Sequence, residues 1–139
     1  MYTLTLVFDK DLSHVLMCFN EKFKKYNFIG GKVEYMEPDS VASYRELYDE
    51  TGIEADKIDL NFVELETVTS PAKGLGIWSM YITAGVLKED VEINSEKNDL
   101  TWVSVDDTSF FINAFGQGSC YTYLRRALYV LTEDEHYLG

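Results

Sequence analysis

The sequence predicts an α+β fold, in which helices pack on the faces of a mixed β-sheet. Runs rich in β-branched and aromatic residues dominate the chain, at residues 2–8, 14–19, 61–69, 76–87 and 100–105. Helical patterns occur in only two or three places and do not alternate regularly with the strands. Because a regular strand–helix alternation is missing, a mixed sheet covered by helices is the arrangement that best buries both kinds of element.

The strands are predicted from their spacing and from the turns between them. The polar segment "DKDLS" separates the first two strands, which predicts an antiparallel hairpin. The segment "KFKKYNFIGG", residues 22–31, follows as a loop that enters a strand. The third and fourth runs flank "SPAKGLG", residues 70–76, whose Pro and Gly predict a turn. We expect one further strand at 100–105.

Two segments have the pattern of a helix with recognisable ends. Residues 40–51 carry Ser40 as a predicted N-cap and stop at Gly52, the residue type most often found just past a helix C-terminus. Residues 119–132 place apolar side chains at helical spacing and predict an amphipathic closing helix. A short helical turn is expected within 106–115.

Length, charge and cysteine content narrow the class of protein. A chain of 139 residues has the length of one domain, and its net charge of −12 argues against duplex nucleic acid as a partner, which clustered Lys and Arg would bind. No apolar stretch is long enough to span a membrane, so we expect a cytoplasmic protein with no membrane partner. Cys18 and Cys120 lie among apolar neighbours and are predicted to be reduced packing residues.

The helix at 40–51 concentrates carboxylates on one side. Val41, Tyr44, Leu47 and Tyr48 are predicted to face the core, and the opposite side carries Glu46, Asp49 and Glu50. Like charges one helical turn apart repel each other. Mg²⁺ or Mn²⁺, which prefer oxygen ligands, would compensate for that repulsion, and Arg45 can pair with Asp49 at i, i+4. A plain acidic solvent face is the alternative that helix periodicity leaves open.

The segment 31–53 also resembles a known family motif. Gly31, Glu37, the Arg45-Glu46-Leu47 triplet, the Asp49-Glu50 pair and Gly52-Ile53 match the spacing of the Nudix box, G-x5-E-x7-R-E-U-x-E-E-x-G-U, with U a bulky aliphatic residue. Asp49 stands where the family has Glu. The lead-in "NFIGGKVE" is similar to the family's F-P-G-G-K-x-E, with Ile29 in place of Pro. Residues 96–107, "EKNDLTWVSVDD", are similar to its C-terminal acidic turn and Trp-containing strand.

The resemblance implies a fold, an activity and a set of site residues. It implies a single Nudix hydrolase domain over 1–139, with an α/β/α sandwich around a mixed sheet. The implied activity is Mg²⁺-assisted (or Mn²⁺-assisted) attack of water on a diphosphate linkage. The carried-over metal ligands are Glu46, Asp49 and Glu50, and the catalytic set is Glu46, Glu50, Arg45 and Glu96. Gly31, Glu37 and Asp99 are supporting residues.

The sequence alone does not identify the substrate, and it leaves two alternatives to a hydrolase. Tyr26, Asn27 and Trp78 are candidates for binding a nucleobase by stacking or hydrogen bonding. The resemblance favours a nucleotide substrate, either a nucleoside triphosphate, oxidised or not, or ADP-ribose. One alternative is a catalytically silent Nudix-like module that binds a nucleotide or regulates a partner. Another is an isomerase of a diphosphate ester, which would need a poised cysteine and glutamate. The oligomeric state, including a homodimer, is not determined.

Overall fold

The computed structural model describes residues 1–70, 76–93 and 99–139, and within them the chain forms a seven-stranded mixed sheet between helices. The strands are β1 (Tyr2–Phe8), β2 (His14–Asn20), β3 (Lys25–Asn27), β4 (Ile29–Lys32), β5 (Asn61–Ser70), β6 (Gly76–Val86) and β7 (Asp99–Ser104). The helices are α1 (Asp39–Thr51), α2 (Thr108–Asn113) and α3 (Ser119–Thr132), with short 3-10 turns at Ala55–Lys57 and Glu135–Leu138. This is the predicted α+β fold.

The sheet is mixed because one of its pairings is parallel. The strand order is β3-β2-β1-β6-β5, with β4 also paired to β1 and β7 to β2. Strand β1 runs parallel to β6, from Tyr2 opposite Met80 to Phe8 opposite Val86, and the other pairings are antiparallel. The parallel pairing joins segments almost eighty residues apart. Because β1 is the third of the five strands in this order, it lies at the centre of the sheet.

The first two strands form the predicted hairpin, but they pair with each other only next to its turn. Their register is defined at Phe8 opposite Val15, where Asp9 accepts hydrogen bonds from the backbone N–H groups of Ser13 (2.8 Å) and His14 (3.0 Å). Farther from the turn β4 pairs with β1 and β3 pairs with β2, and β7 pairs with β2 from His14 to Phe19. The hairpin therefore opens, and β4 enters the sheet beside the N-terminal half of β1.

Two hydrophobic cores lie on opposite faces of the sheet. The larger packs α2 and α3 against the even-numbered residues of β1, among them Leu4, Leu6 and Phe8. The smaller packs α1 against Val7 and Leu16, with Leu47 as the central helical residue. Each strand of the centre buries both of its faces, which gives the two helix-covered layers of an α/β/α sandwich.

Helix α1 ends as predicted but begins earlier. Gly52 adopts the left-handed conformation (φ 79°), and its N–H donates to the carbonyl of Tyr48 at 2.8 Å. The N-cap is Pro38, which offers no capping side chain, so the prediction of Ser40 as N-cap is wrong. Pro38 suits this place because its φ is fixed and it has no N–H to satisfy. Helix α3 has the predicted bounds, and α2 lies within the expected segment.

The buried face of α1 differs from the predicted one. Ala42, Ser43, Leu47 and Thr51 are buried, whereas Val41 and Tyr48, which were predicted to face the core, are 52% and 55% exposed. The hydroxyls of Ser43 and Thr51 donate to the carbonyls of Asp39 (3.1 Å) and Leu47 (2.6 Å). Because these bonds satisfy the hydroxyl groups inside the helix, two polar residues can be buried at little cost.

Some predictions fall outside the described residues. These are residues 71–75, at the centre of the predicted turn, and residues 94–98, which include Glu96 from the start of the segment 96–107. Both cysteines are free thiols, with Cys120 buried and Cys18 half-buried, in agreement with their prediction as packing residues. None of the helices in the described part of the chain has the length and apolar character that crossing a bilayer requires.

Candidate active site

The candidate site lies where helix α1 packs against strand β4. The carbonyl of Lys32 accepts a hydrogen bond from Arg45 Nη2 at 3.0 Å. A chain reversal of only six residues joins strand to helix. The two elements therefore bring the glycines of "IGGK" beside the helix face that carries Glu46, Asp49 and Glu50.

Arg45 is the centre of the ionic contacts at this site. Its Nε donates to Glu37 Oε2 at 2.7 Å and its Nη2 donates to Glu37 Oε1 at 2.9 Å, a two-pronged pairing. These bonds raise the pKa of the Arg45 guanidinium and hold the pKa of Glu37 below its usual range. The remaining nitrogen, Nη1, lies 2.9 Å from Glu46 Oε1 and 3.6 Å from Asp49 Oδ2. The predicted partner Asp49 is thus within reach, but Glu37 makes the better pair.

Glu46 lies against the backbone of strand β4. A methyl group added at Gly31 would collide with the Glu46 carboxylate. A side chain at position 31 would therefore displace the Glu46 carboxylate, and glycine allows this carboxylate to lie against the strand. The sequence predicted Gly31 as a supporting residue, and this packing supplies a physical reason for it.

Glu50 lies deeper than the other two carboxylates. The N–H of Gly30 donates to its Oε2 at 3.3 Å. Burial, and next the negative charge of Glu46, raise the pKa of Glu50 to about 7, and the charge of Asp49 adds to this, against the opposing effect of the Gly30 hydrogen bond. A carboxyl group with that pKa exchanges a proton readily near neutral pH, which is the property expected of a general base.

The carboxylates are close to each other without forming a finished ion cage. Within 1–70, 76–93 and 99–139, no three His, Cys, Asp or Glu side chains converge closely enough to hold an ion. Glu46 is instead turned toward Arg45, and Asp49 is 58% exposed. The donor set still fits a hard cation, because it consists of carboxylate oxygens on consecutive helical turns. An ion at this place would compete with Arg45 for Glu46.

The predicted nucleobase contacts are not gathered in one place. Tyr26 is packed between Phe19 and Phe110, with ring centroids 5.0 and 5.2 Å away. Asn27 accepts hydrogen bonds from the Phe28 N–H (2.8 Å) and the Cys120 thiol (3.6 Å). Both lie on β3, which β2 and β1 separate from β6 and its Trp78.

Trp78 lies beside an open cavity near the start of β6. Its ring stacks on Tyr2, with centroids 4.9 Å apart and planes at 24°. The cavity, of about 440 Å³, is lined by these two rings together with Met1, Ile77 and Ser79. The stacked pair offers an aromatic wall to a bound ring, so Trp78 is the best placed of the three predicted base-binding residues.

A cysteine that we predicted as packing lies in the field of the site. Burial, and then the charges of Glu50 and Asp99, raise the pKa of the Cys18 thiol. Asp99 therefore acts on the same region as Glu50, although it is exposed. A raised pKa keeps Cys18 protonated and unreactive, which argues against the isomerase alternative. The sequence did not indicate that Cys18 lies near Asp99, because this proximity depends on the pairing of β2 with β7.

Comparison with known proteins agrees with this geometry. A mixed sheet between helices, with a carboxylate-bearing helix packed against a Gly-Gly strand, defines the class of Nudix-type hydrolases. The family model described as the NUDIX domain matches residues 3–123, and the chain therefore belongs to the NUDIX family. It is accordingly an enzyme of the pyrophosphohydrolase class, which acts on anhydrides of phosphorus. Among curated proteins, no match to the sequence was found.

Several solved structures have the same fold at low sequence identity. The E. coli dihydroneopterin triphosphate pyrophosphohydrolase is 15% identical, with a TM-score of 0.77 and coverage of 90% of this chain and 92% of that one. The C. elegans Ap4A hydrolase is 19% identical, with a TM-score of 0.72 and coverage of 94% and 97%. The NUDIX domain of Shewanella oneidensis NrtR, complexed with ADP ribose, is 15% identical, with a TM-score of 0.70 and coverage of 94% and 87%. At these identities the similarity establishes the fold alone.

Proposed function

We propose that residues 1–139 form one Nudix domain that hydrolyses a diphosphate linkage in a nucleoside diphosphate derivative, by attack of water at phosphorus with help from a divalent cation. The observation that carries this proposal is the group of Glu46, Asp49 and Glu50 on α1, in which Arg45 links Glu46 and Asp49 to Glu37. Folding alone does not need three carboxylates so close together, and a bound cation would stabilise them.

Each residue of the group has a proposed role. Glu46, Asp49 and Glu50 would hold Mg²⁺ or Mn²⁺, with Asp49 one methylene shorter than the glutamate of the motif. The ion would offset the repulsion between a diphosphate and an acidic protein and would lower the pKa of bound water. Arg45 orients Glu46 through its Nη1, and Glu37 fixes Arg45. Glu50 is our first choice as general base, because its pKa is near neutrality.

Two other carboxylates were predicted to assist the reaction. Burial is the first cause of the raised pKa of Cys18, and the charges of Glu50 and Asp99 add to it; a role of Asp99 beside the reacting water stays a prediction. Glu96 lies outside the described residues and stays a prediction. The same holds for a cytoplasmic location and for a homodimer, which nothing in the described chain tests.

We propose a nucleotide as substrate, and the Trp78 cavity is one candidate place for a ring of it. The cavity's volume of about 440 Å³ is in the range of small-molecule sites. Proteins with this fold include a dihydroneopterin triphosphate pyrophosphohydrolase, an Ap4A hydrolase and a NUDIX domain complexed with ADP ribose, so a nucleoside triphosphate and ADP-ribose both stay in consideration. Tyr26 and Asn27 are the weaker candidates for binding a base. The ring of Tyr26 packs against two other rings, and the side chain of Asn27 already accepts hydrogen bonds within the protein.

The proposed function is tested by turnover with and without the carboxylates. Wild-type protein is assayed on nucleoside triphosphates, ADP-ribose and dinucleoside polyphosphates with Mg²⁺, Mn²⁺ or EDTA, in water enriched in ¹⁸O. We expect metal-dependent turnover with ¹⁸O in one phosphate product, and a fall of about 100-fold or more in kcat for Glu50→Gln. Glu54→Gln, an exposed carboxylate just beyond the helix, is the matched control.

Two results would contradict the proposed function. One is turnover in EDTA that equals turnover in Mg²⁺. The other is binding of a nucleotide, measured by calorimetry, without turnover of any substrate in the panel. The second result would favour the silent binding module, in which Arg45 keeps Glu46 and no ion is bound.

A further inference from the structure

The loop between β4 and α1 contains a turn that is held rigidly at both ends. The N–H of Glu37 donates to the carbonyl of Glu34 at 3.0 Å, which closes a turn with Tyr35 and Met36 at its centre. The N–H of Glu34 donates to Glu37 Oε1 at 3.1 Å. Because Arg45 also grips the Glu37 carboxylate, the turn is fixed to helix α1.

The two central residues of this turn are not the types that folding favours there. Met36 has a φ of 63°, a left-handed conformation that disfavours side chains and suits glycine or asparagine. Tyr35 is 95% exposed and Met36 is 84% exposed, the two highest values among the large hydrophobic residues of the described chain. Neither side chain gains stability from packing, and Met36 adds backbone strain. Their presence is better explained by a contact outside the protein.

The turn lies next to the acidic group. Glu34, which precedes Tyr35, has its Oε1 3.9 Å from Arg45 Nη1, the same nitrogen that contacts Glu46 and Asp49. A substrate whose phosphates bind at these carboxylates therefore brings the groups attached to the phosphates close to the turn. Tyr35 is almost fully exposed, so its ring is accessible to a substrate.

We propose that Tyr35, assisted by Met36, is a specificity-determining residue that stacks on a nucleobase of the substrate. A tyrosine face and a thioether both attract flat, polarisable rings. A rigid turn loses little conformational freedom when the base binds, so the contact is efficient. The inference rests on the proposed function, since it places the base relative to the diphosphate at Glu46 and Asp49.

The test compares steady-state kinetics of four variants with wild type. Tyr35→Ala is expected to raise KM about 10-fold with kcat changed less than threefold, and Tyr35→Phe is expected to match wild type. Met36→Gly is expected to raise KM by a few fold while its Tm is equal or higher, which a merely structural role would not produce. Leu138→Ala, 60% exposed at the far end of the chain, is the control.

The substrates distinguish which base is bound. A nucleoside triphosphate carries one base and a dinucleoside tetraphosphate carries two. A KM effect on both substrates assigns Tyr35 to the first base, and an effect on the second substrate alone assigns it to the additional base. Unchanged KM for Tyr35→Ala on both, beside an active wild type, overturns this inference and leaves the proposed function intact.

The inference stays testable if wild type turns over nothing. Calorimetric titration with the same two nucleotides then compares the Kd of wild type with that of Tyr35→Ala. A Kd raised about 10-fold would support the stacking contact in a binding module. Equal Kd values, or no binding by wild type, would overturn it.

Discussion

At the scale of single residues, the position of Glu50 creates a conflict between stability and the proposed chemistry. The carboxyl group is largely buried beside two like charges, and it remains protonated in the folded chain to a higher pH than in the unfolded chain. The folded state then binds more protons than the unfolded state between pH 4.5 and about 7. Stability due to this group is therefore complete below pH 4.5 and is lost as pH rises through that range.

Because the buried charge of Glu50 destabilises the folded state, we predict that Glu50→Gln stabilises the metal-free protein. The glutamine has the same shape but never ionises, so the variant avoids the cost of a buried charge. In EDTA at pH 8 we expect its free energy of unfolding to exceed that of wild type by up to about 3 kcal/mol. The advantage should vanish near pH 4. Urea unfolding at the two pH values measures it, and an equal advantage at both would show that ionisation of Glu50 is not the cause.

Single residues also show where prediction from sequence stops. The Gly52 end of α1 was predictable because a left-handed residue there is a local requirement. The buried face was not, because hydrophobicity ranks Val41 and Tyr48 above Ser43 and Thr51. The hydroxyl-to-carbonyl bonds that allow burial of Ser43 and Thr51 exist only once the helix has formed.

At the scale of elements, Arg45 connects the β4–α1 loop to the helix, and its geometry cannot be replaced by another cation. Its three nitrogens contact Glu37, Glu46 and the carbonyl of Lys32. A lysine has the charge but only one nitrogen, so it can satisfy one of these partners well.

We therefore predict that Arg45→Lys lowers kcat/KM by about 10- to 100-fold, the usual effect of losing a group that orients a metal ligand. The protein should still fold, which circular dichroism checks. Lys57→Arg, at an exposed ion pair with Glu89, is a control for the exchange of cations. Retention of wild-type kcat/KM by Arg45→Lys would mean that only the charge matters.

The end of α1 gives a second prediction at this scale. Gly52→Ala puts a side chain at a φ of 79°, which should cost about 1 to 2 kcal/mol of stability. Gly52→Asn should cost less, because asparagine tolerates this conformation. Chemical denaturation measures both, and an equal loss for the two variants would indicate a steric clash rather than backbone strain.

At the scale of the whole molecule, the net charge of −12 and the carboxylate group should both respond to cations, but differently. Sodium screens the overall repulsion without a specific site. A divalent ion that binds at α1, as proposed, would add binding free energy to the folded state alone. The two effects can be separated at equal ionic strength.

We predict that millimolar Mg²⁺ raises the Tm of wild type above its value in NaCl of the same ionic strength. The excess should be smaller in Glu46→Gln, which lacks one proposed ligand, and unchanged in Glu54→Gln. Differential scanning fluorimetry gives both values. An identical Mg²⁺ response in all three proteins would indicate screening only.

The fold class was predictable from the sequence, but the order of the strands was not. The segment from Gly31 to Ile53 placed three carboxylates on one helix after a Gly-Gly strand, as the structure has them, because strand, turn and helix are continuous in the chain. The parallel pairing of β1 with β6, and the separation of Tyr26 from Trp78 across the sheet, depend on contacts between distant segments. Local propensity carries no information on such pairings, so the base-binding residues were predicted one by one and not as a group.

The continuity of β4 and α1 also has a consequence for how the protein is assembled during folding. Contacts such as Gly30 to Glu50 and Glu37 to Arg45 close loops of 20 and 8 residues, whereas Thr5 and Thr83 meet across 78. Short loops close at lower entropic cost, so the carboxylate corner is expected to form early and the central strand pair late. A newly made chain would then carry its carboxylate corner before its sheet is complete, and this corner would serve as a nucleus for the remaining strands.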